Sequence, residues 1–346
     1  MDLHDRDYYM DGLLKKDFRI LSRAITLVES SLVQHRRMAR EILDDLMPKT
    51  GHATRLGITG VPGVGKSSFI ESFGMMLLEK GHYVAVLSID PSSSRSGGSI
   101  MADKTRMTRL SADKRAYIRP SPSGGTLGGV ARKTRETMLL CEAAGFDVII
   151  VETVGVGQSE TVAASMVDFF LLLMLAGAGD ELQGIKKGVM ELADAIVINK
   201  ADGDNLAKAE RARKEYESAV HLLSRPSDLW TPPALTCSAL HTTGLDRVWE
   251  TILSHRDALL KNGELAKKRR AQSLDWMWSI VDEGLKERFY NHPGLKKCLP
   301  KILLDVESGK TAPAAAADEL LLSLDHCSRE RRARSWKRYG GGPIKK

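Results

Sequence analysis

The stretch from Gly60 to Ser67 reads GVPGVGKS, and it constrains the fold more than any other feature of this chain. It matches the pattern G-x-x-x-x-G-K-[ST] and lies between a short apolar run, LGITG, and the run KSSFIESFGMMLLEKG, which predicts a helix. A glycine-rich loop between a strand and a helix lets backbone N–H groups surround a phosphate group. The predicted phosphate-binding loop comprises Gly60, Val61, Pro62, Gly63, Val64, Gly65, Lys66, Ser67 and Ser68.

Two side chains of this loop carry chemistry of their own. Lys66 is expected to place a positive charge beside the β- and γ-phosphates, and the Ser67 hydroxyl to ligate Mg²⁺. The helix that begins near Lys66 adds the positive end of its dipole. The loop therefore predicts a nucleoside triphosphate with Mg²⁺ as ligand, and it leaves the base open.

The rest of the chain predicts a doubly wound α/β domain with a mostly parallel sheet. Three segments, DVIIVETVG, DFFLLLMLAG and DAIVINKAD, each place an Asp before an apolar run and a polar or glycine-containing cluster after it. With LGITG, HYVAVLSIDP and ALTCSAL they alternate with helical segments, as in sheets buried on both faces. The helical segments are predicted at 132–144, 158–165, 184–192 and 205–223. Ligand chemistry then belongs at the carboxyl ends of the strands.

The two ends of the chain are predicted to be helical. Residues 13–47 show apolar residues at steps of three to four, and strand patterns stop at about Gly244. We therefore expect an N-terminal helical extension over 1–50, a phosphate-loop domain over 51–258 and a C-terminal helical extension over 259–346. From its sequence alone, the last of these could complete the core or form a dimer arm.

Composition indicates an ordinary soluble protein with 42% hydrophobic and 27% charged residues. Its net charge of +7 resides in the tail that starts at Arg329, which holds eight Lys and Arg and one Glu. Such a tail suits nucleic acid, a membrane or an acidic partner, but a solvated end is the favoured interpretation. The four cysteines have no zinc spacing, and the start lacks the apolar core of a signal peptide. We expect a cytoplasmic protein without nucleic-acid or membrane partners.

The sequence NKAD, from Asn199 to Asp202, identifies the base. It follows the run AIVI, and the Asp202 carboxylate can accept hydrogen bonds from both the ring N–H and the exocyclic amine of guanine. Asn199 and the stem of Lys200 are expected to brace the loop and cover the base. Ser238, Ala239 and Leu240 form a companion loop after the last predicted strand, whose backbone would read the guanine carbonyl.

Carboxylates between these motifs suit a magnesium ion. Glu152 begins the sequence ETVG, and it is expected to hold Mg²⁺ directly or through water, while Gly155 offers its N–H to the γ-phosphate. Asp90 follows a predicted strand and Asp103 lies thirteen residues further on. Two carboxylates near a phosphate loop suit Mg²⁺ binding and orientation of the attacking water. The alternative role for Glu152 and Asp90 is to cap a local turn, and the alternative for Asp103 is a place at the N-terminus of a helix.

These motifs together resemble the metallochaperone family of P-loop GTPases, and within it the MeaB/ArgK (MMAA-like) branch. Four segments carry the likeness: GITGVPGVGKS, DPSSSRSGGSIMADKTRM, the run from RPSPSGGTLGG to ETVGVGQSE, and GAGDELQGIKKG. The resemblance implies slow GTP hydrolysis to GDP and a homodimer formed by the C-terminal helices. It also implies an adenosylcobalamin-dependent methylmalonyl-CoA mutase as partner, whose cofactor loading and protection the GTPase gates. Lys186 falls in the third of the family's switch segments and is implied to take part in catalysis.

Two other functions remain open on the sequence. Related GTPases insert nickel into metalloenzymes, but they generally carry Cys and His ligands that this chain lacks at the corresponding places. A kinase for a small molecule or a transport protein needs an acceptor pocket with a catalytic base, and no residue pattern singles one out.

Overall fold

A seven-stranded sheet, parallel throughout, organises the domain, in the strand order β3-β2-β4-β1-β5-β6-β7. The computed structural model describes residues 3–89, 107–120, 127–153, 158–177, 187–223 and 229–323, with only the backbone of residues 158, 187 and 221–223. The strands are β1 Thr54–Gly60, β2 Val84–Ile89, β3 Ala116–Arg119, β4 Val148–Thr153, β5 Phe169–Leu175, β6 Ala195–Asn199 and β7 Ala234–Thr236. The predicted α/β class with a parallel sheet is confirmed.

One strand, β3, was not predicted from the sequence. It is four residues long, lies at the edge of the sheet and alternates buried with half-buried residues. The apolar runs of β2 and β4, by contrast, are buried along their whole length, as expected for strands covered on both faces. A short edge strand in a charged stretch of sequence gives too weak a pattern to predict.

Helices cover both faces of this sheet. Up to β7 they are α1 Arg6–Leu14, α2 Phe18–Glu29, α3 Val33–Leu46, α4 Lys66–Glu79, α5 Thr108–Ala112, α6 Leu127–Ala143, α7 Gln158–Ala164, α8 Lys187–Leu192 and α9 Leu206–Leu223. After β7 follow α10 Leu245–Lys261, α11 Glu264–Tyr290, α12 Pro293–Glu307 and α13 over 313–323. None of the described helices has both the length and the apolar character required to span a membrane.

The N-terminal extension forms three helices where the sequence pattern predicted one continuous helical stretch. The Asp17 side chain accepts a hydrogen bond from the Arg19 N–H at 2.8 Å and so begins α2, while the extended backbone of Ser30 ends it. The apolar sides of these helices share one buried cluster with α6 and with one face of β2 and β4. Helices α4, α5 and α10 cover the other face.

The described chain divides into two compact units, residues 1–274 and 275–346, and the boundary falls inside α11. In the first unit, the first half of α11 is bound to the sheet. Arg269 donates to both carboxylate oxygens of buried Asp168, at 2.8 and 2.6 Å, and Lys268 donates to the Asp168 carbonyl at 2.7 Å. Asp168 precedes β5, so this anchor lies at the amino edge of the sheet, opposite the edge that carries the nucleotide motifs.

Candidate nucleotide site

The phosphate-binding loop follows the central strand of the sheet. β1 ends at Gly60 and α4 begins at Lys66, as the sequence pattern predicts. Gly65 has a φ of +85°, a conformation that residues with a side chain rarely adopt, and a Cβ there would lie 3.1 Å from the Asn199 Nδ2. The loop therefore needs glycine at this position for its own conformation and for its approach to the neighbouring loop.

The start of α4 presents its backbone N–H groups without a side-chain cap. Gly65 occupies the N-cap position and supplies no side-chain acceptor, while Lys66 and Ser67 form the first turn and are half-buried. N–H groups at a helix start have no partner within the helix, and they favour an anion together with the helix dipole. The geometry suits a phosphate group held by this turn.

Asn199 connects the base loop to the phosphate loop. It ends β6 and is 1% exposed. Its amide donates to the Val64 carbonyl at 2.8 Å, and its Oδ1 accepts from the Ala239 N–H at 3.1 Å. One side chain thus holds three segments of the site together: the phosphate loop, the NKAD loop and the companion loop.

Lys200 and Ser72 add two further bonds to this arrangement. Lys200 adopts a left-handed backbone conformation with a φ of +59°, and its Nζ donates to the Gly63 carbonyl at 2.8 Å. The Ser72 hydroxyl on α4 donates to the Ala239 carbonyl at 2.7 Å. We refer to these four hydrogen bonds, made by Asn199, Lys200 and Ser72, as the loop frame. The Lys200 side chain thus reaches from the NKAD loop to the phosphate loop.

The companion loop fixes the Asp202 side chain through a hydrogen bond. The buried Ser238 hydroxyl donates to its Oδ2 at 2.5 Å, and the Ser238 oxygen in turn accepts from the His241 N–H at 3.2 Å. Asp202 itself is half-buried, and the Leu240 side chain is 80% exposed. A fixed, partly accessible carboxylate is suited to accept two parallel N–H groups from guanine.

Cys237 also contacts the candidate site, through Asn199, and the sequence did not indicate this contact. Burial raises the pKa of its thiol to about 12, so the thiol stays protonated at neutral pH. The Sγ donates to the Asn199 Oδ1 at 3.5 Å. Ser72 and Cys237 were missed because only tertiary packing brings them to the site; neither lies in a motif.

Glu152 lies at the carboxyl end of β4, the strand next to β1. Its register partners are Ile58 on β1 and Ser88 on β2, so the three side chains point to the face of the sheet that α4 covers. Glu152 is 8% exposed, and the buried Ser88 hydroxyl has no hydrogen-bond partner among the residues that the structure describes. An orphaned hydroxyl next to a carboxylate fits a hydrated Mg²⁺, because that ion takes oxygen ligands and keeps several waters.

Four predicted site residues, Asp90, Asp103, Gly155 and Lys186, lie outside the described residues. Within the described ranges, no three or more His, Cys, Asp or Glu side chains come together as a metal site would require. The described part brings together the phosphate loop, Asn199, Lys200, Asp202 and the companion loop Ser238–Leu240. Two strands, β1 and β5, lie between the strand of Glu152 and that of Asn199.

This fold and these loops define a class of protein. A parallel sheet with a phosphate loop after its central strand, joined through Asn199 to an N-K-x-D loop, is a guanine-nucleotide-binding P-loop domain. Residues 21–294 match the sequence profile of the family described as methylmalonyl-CoA mutase-associated GTPase MeaB. The chain belongs to this family and is a GTPase.

Relatives with similar sequences support this assignment. A putative GTPase of Caulobacter vibrioides is 56% identical over 320 residues, which cover 92% of this chain and 98% of the relative. The mouse protein named methylmalonic aciduria type A homolog, mitochondrial, is 46% identical over 91% of this chain and 78% of its own length. A solved structure described as LAO/AO transport system kinase is 40% identical, with a TM-score of 0.75 over 94% of this chain and all of that one.

Proposed function

We propose that this GTPase is a chaperone of an adenosylcobalamin-dependent methylmalonyl-CoA mutase. In this role its GTP cycle gates cobalamin loading and protects or reactivates the mutase. The observation that carries the proposal is the family match over residues 21–294, since the family description couples a GTPase to that mutase. The name of the mouse relative points to the same metabolism.

Mg²⁺ is the metal that we propose for the site. Ser67, at the first turn of α4, and Glu152, at the end of β4, are the described candidates for holding it, together with Asp90 and Asp103. When bound, Mg²⁺ neutralises the charge that builds on the β- and γ-phosphates. Lys66 adds a second positive charge there, and Gly155 an N–H. GTP hydrolysis needs little covalent chemistry from the protein, so these groups act by positioning and charge stabilisation.

The isolated protein should hydrolyse GTP slowly, and the mutase should accelerate it. P-loop GTPases often lack part of their catalytic arrangement until a partner orders it. We propose that the mutase brings Lys186, from the segment AGAGDELQGIKK, toward the γ-phosphate. Lys186→Ala should then lower the ratio of mutase-stimulated to basal rate toward one. Phosphate release with and without holo-mutase measures this ratio.

Lys187→Ala is the matched control, since it removes the same charge one residue away. Stimulation should survive in this variant. Equal stimulation of wild type and Lys186→Ala would remove Lys186 from the mechanism. If no cobalamin-dependent acyl-CoA mutase stimulates GTP hydrolysis by the wild type, the proposal that such a mutase is the partner is refuted. Transfer of the γ-phosphate to an added acceptor instead of water would support the kinase activity that the solved relative's description names.

We also propose that residues 259–346 form a dimerisation arm. In the unit from 275 onward, large apolar side chains are exposed on all three helical segments. They are Met277, Trp278, Val281, Leu285, Tyr290, Leu303, Leu304, Leu321 and Leu322, and Trp278 is 60% exposed. Exposed apolar area of this extent is typical of protein interfaces. A second copy of the chain is the occupant that the family resemblance implies.

Replacing Trp278 and Leu285 together by Glu should convert the dimer to a monomer. The two residues are seven apart on α11, so they share one side of the helix, and two charges there would be buried by association. Light scattering after gel filtration measures the mass. Glu287→Lys, on the opposite side of α11, is the control and should stay dimeric. If the wild-type protein is monomeric at micromolar concentration, the proposal that residues 259–346 form a dimerisation arm is wrong.

We place this activity in the cytoplasm, with no nucleic acid or membrane as partner. Retention of the protein on anionic vesicles or on nucleic acid at physiological salt would contradict it.

A further inference from the structure

Two buried threonine hydroxyls bond to each other at the carboxyl edge of the sheet. Thr153, the last residue of β4, donates from its hydroxyl to the Thr59 Oγ1 at 2.8 Å, and Thr59 lies on β1 directly before Gly60. The exposed fraction is 1% for Thr59 and 0% for Thr153. We refer to this hydrogen bond as the threonine bridge. It joins the strand that ends in the phosphate loop to the strand that carries Glu152.

The threonine bridge lies one residue beyond the backbone pairing of these two strands. β1 and β4 are paired in register as far as Ile58 and Glu152. From there β1 continues alongside β5 as far as Gly60, and β4 continues alongside β2 as far as Thr153. The two halves of the sheet therefore separate at this point, and a side-chain bond holds their ends together where the backbone pairing has stopped.

Each half of the sheet carries one part of the proposed catalytic site. The half with β1 leads into the phosphate loop and Ser67, and the half with β4 carries Glu152 one residue before its end. Successive side chains of a strand point to opposite faces, so Thr153 lies on the face away from Glu152 and α4. The bridge can therefore fix the two strand ends without occupying the space that nucleotide and metal would need.

The separation of these two parts decides how well a metal ion would fit between them. Mg²⁺ demands near-ideal octahedral geometry, and a displacement of about 1 Å can lower a rate by about 10²-fold. We propose that Thr59 and Thr153 are positioning residues for GTP hydrolysis: their bridge sets the place of Glu152 relative to the phosphate loop. The inference rests on the proposed role of Glu152 in holding Mg²⁺, and the two threonines act through that residue.

Thr153→Val keeps the shape of the side chain and removes the bond. It should lower kcat for GTP, and the affinity of the GDP-bound protein for Mn²⁺, each by on the order of tenfold. Electron paramagnetic resonance of free Mn²⁺ measures this affinity without turnover. GDP affinity in the absence of metal should change by less than about twofold, because the loop frame does not include the bridge. Thr153→Ser keeps a hydroxyl and should recover most of both losses.

A double variant separates positioning from stability. Thr153→Val leaves the Thr59 hydroxyl buried without its partner, so it should lower the melting temperature. Replacing both threonines by Val removes both polar groups, and the melting temperature should return toward that of the wild type. The losses in kcat and Mn²⁺ affinity should persist, since the bridge is still absent.

Two results would overturn the inference. In the first, kcat and Mn²⁺ affinity recover in the double variant together with the melting temperature. In the second, Thr153→Val melts lower but keeps wild-type kcat and Mn²⁺ affinity. Either result would make the bridge a structural feature only. If Thr153→Val does not fold, the double variant carries the test, and wild-type kcat and Mn²⁺ affinity in it would overturn the inference.

A control at the opposite end of β1 is Thr54→Val. The Thr54 hydroxyl is buried and accepts a hydrogen bond from the Arg256 guanidinium at 2.9 Å. This variant should melt lower, with kcat and Mn²⁺ affinity unchanged. If it loses as much Mn²⁺ affinity as Thr153→Val does, any weakening of β1 has this effect and the bridge has no role of its own.

Glu152→Gln tests the proposed metal site separately. If this variant binds Mn²⁺ as tightly as the wild type does, the role of Glu152 in metal binding is wrong, and the inference is overturned with it. If it loses affinity while the valine variants keep theirs, the metal site stands and the inference alone is overturned. Neither result depends on the mutase.

Discussion

Replacing Lys66 by Ala should abolish tight GTP binding or reduce hydrolysis by on the order of 10²-fold or more while the fold stays intact. Lys66 opens α4 and is half-buried beside the phosphate loop, and we propose that its charge faces the β- and γ-phosphates there. Alanine favours helix, so the first turn should form without it. Titration with a fluorescent GTP analogue and a phosphate-release assay measure the two effects.

Lys80→Ala provides the control for this experiment. Lys80 follows the last turn of the same helix, and its ion pair with Asp246 is exposed to solvent, so its loss should cost little. Circular dichroism should show the same helix content in both variants. Wild-type turnover of GTP by Lys66→Ala would refute the assignment of the phosphate loop.

Replacing Asp202 by Asn should weaken the binding of GTP and strengthen the binding of xanthosine triphosphate. We propose that Asp202 accepts two hydrogen bonds from guanine, whereas the amide of Asn offers a donor where xanthine carries a carbonyl oxygen. Sites built on such hydrogen bonds discriminate by up to about 10⁴-fold in kcat/KM, because a mismatch leaves a buried group unpaired. The ratio of kcat/KM for the two nucleotides measures the switch.

Asp204→Asn is the control, because Asp204 lies two residues further along and is exposed. It should leave the nucleotide preference as it is. A wild-type protein in which ATP competes equally with GTP would contradict the role of Asp202. Ser238→Ala should also weaken GTP binding, but by less than Asp202→Asn. It removes only the hydrogen bond that supports the Asp202 carboxylate.

The sequence predicted the parts of this molecule that depend on local pattern. Buried apolar runs predicted six of the seven strands, and two short motifs located the phosphate loop after β1 and the base loop after β6, with only β5 between these two strands. It did not predict the edge strand Ala116–Arg119, whose four residues alternate weakly. Nor did it divide the N-terminal extension into three helices, because helical periodicity alone does not show where caps such as Asp17 interrupt it.

Contacts between distant segments could not be predicted. The bonds from Asn199 to Val64 and from Ser72 to Ala239 join residues more than a hundred positions apart. Ser72 and Glu71 both belong to the apolar-rich run FIESFGMM, where a polar residue is an ordinary feature of a half-buried helix face. Only the packed structure gives Glu71 a partner in α5 and Ser72 a partner in the companion loop.

The loop frame bears differently on two features of the nucleotide, its base and the number of its phosphates. Three of its four bonds join the base loops to the phosphate loop or to α4, and the fourth, from the Ala239 N–H to Asn199, joins the NKAD loop to the companion loop. The frame positions the loops around Asp202, which we propose reads guanine, and since its bonds lie within the protein we expect it to be the same for a diphosphate and a triphosphate. The number of phosphates has to be sensed by groups outside it. A partner can therefore respond to GTP hydrolysis while the contacts of the protein with guanine stay in place. GDP then remains bound after the γ-phosphate has left.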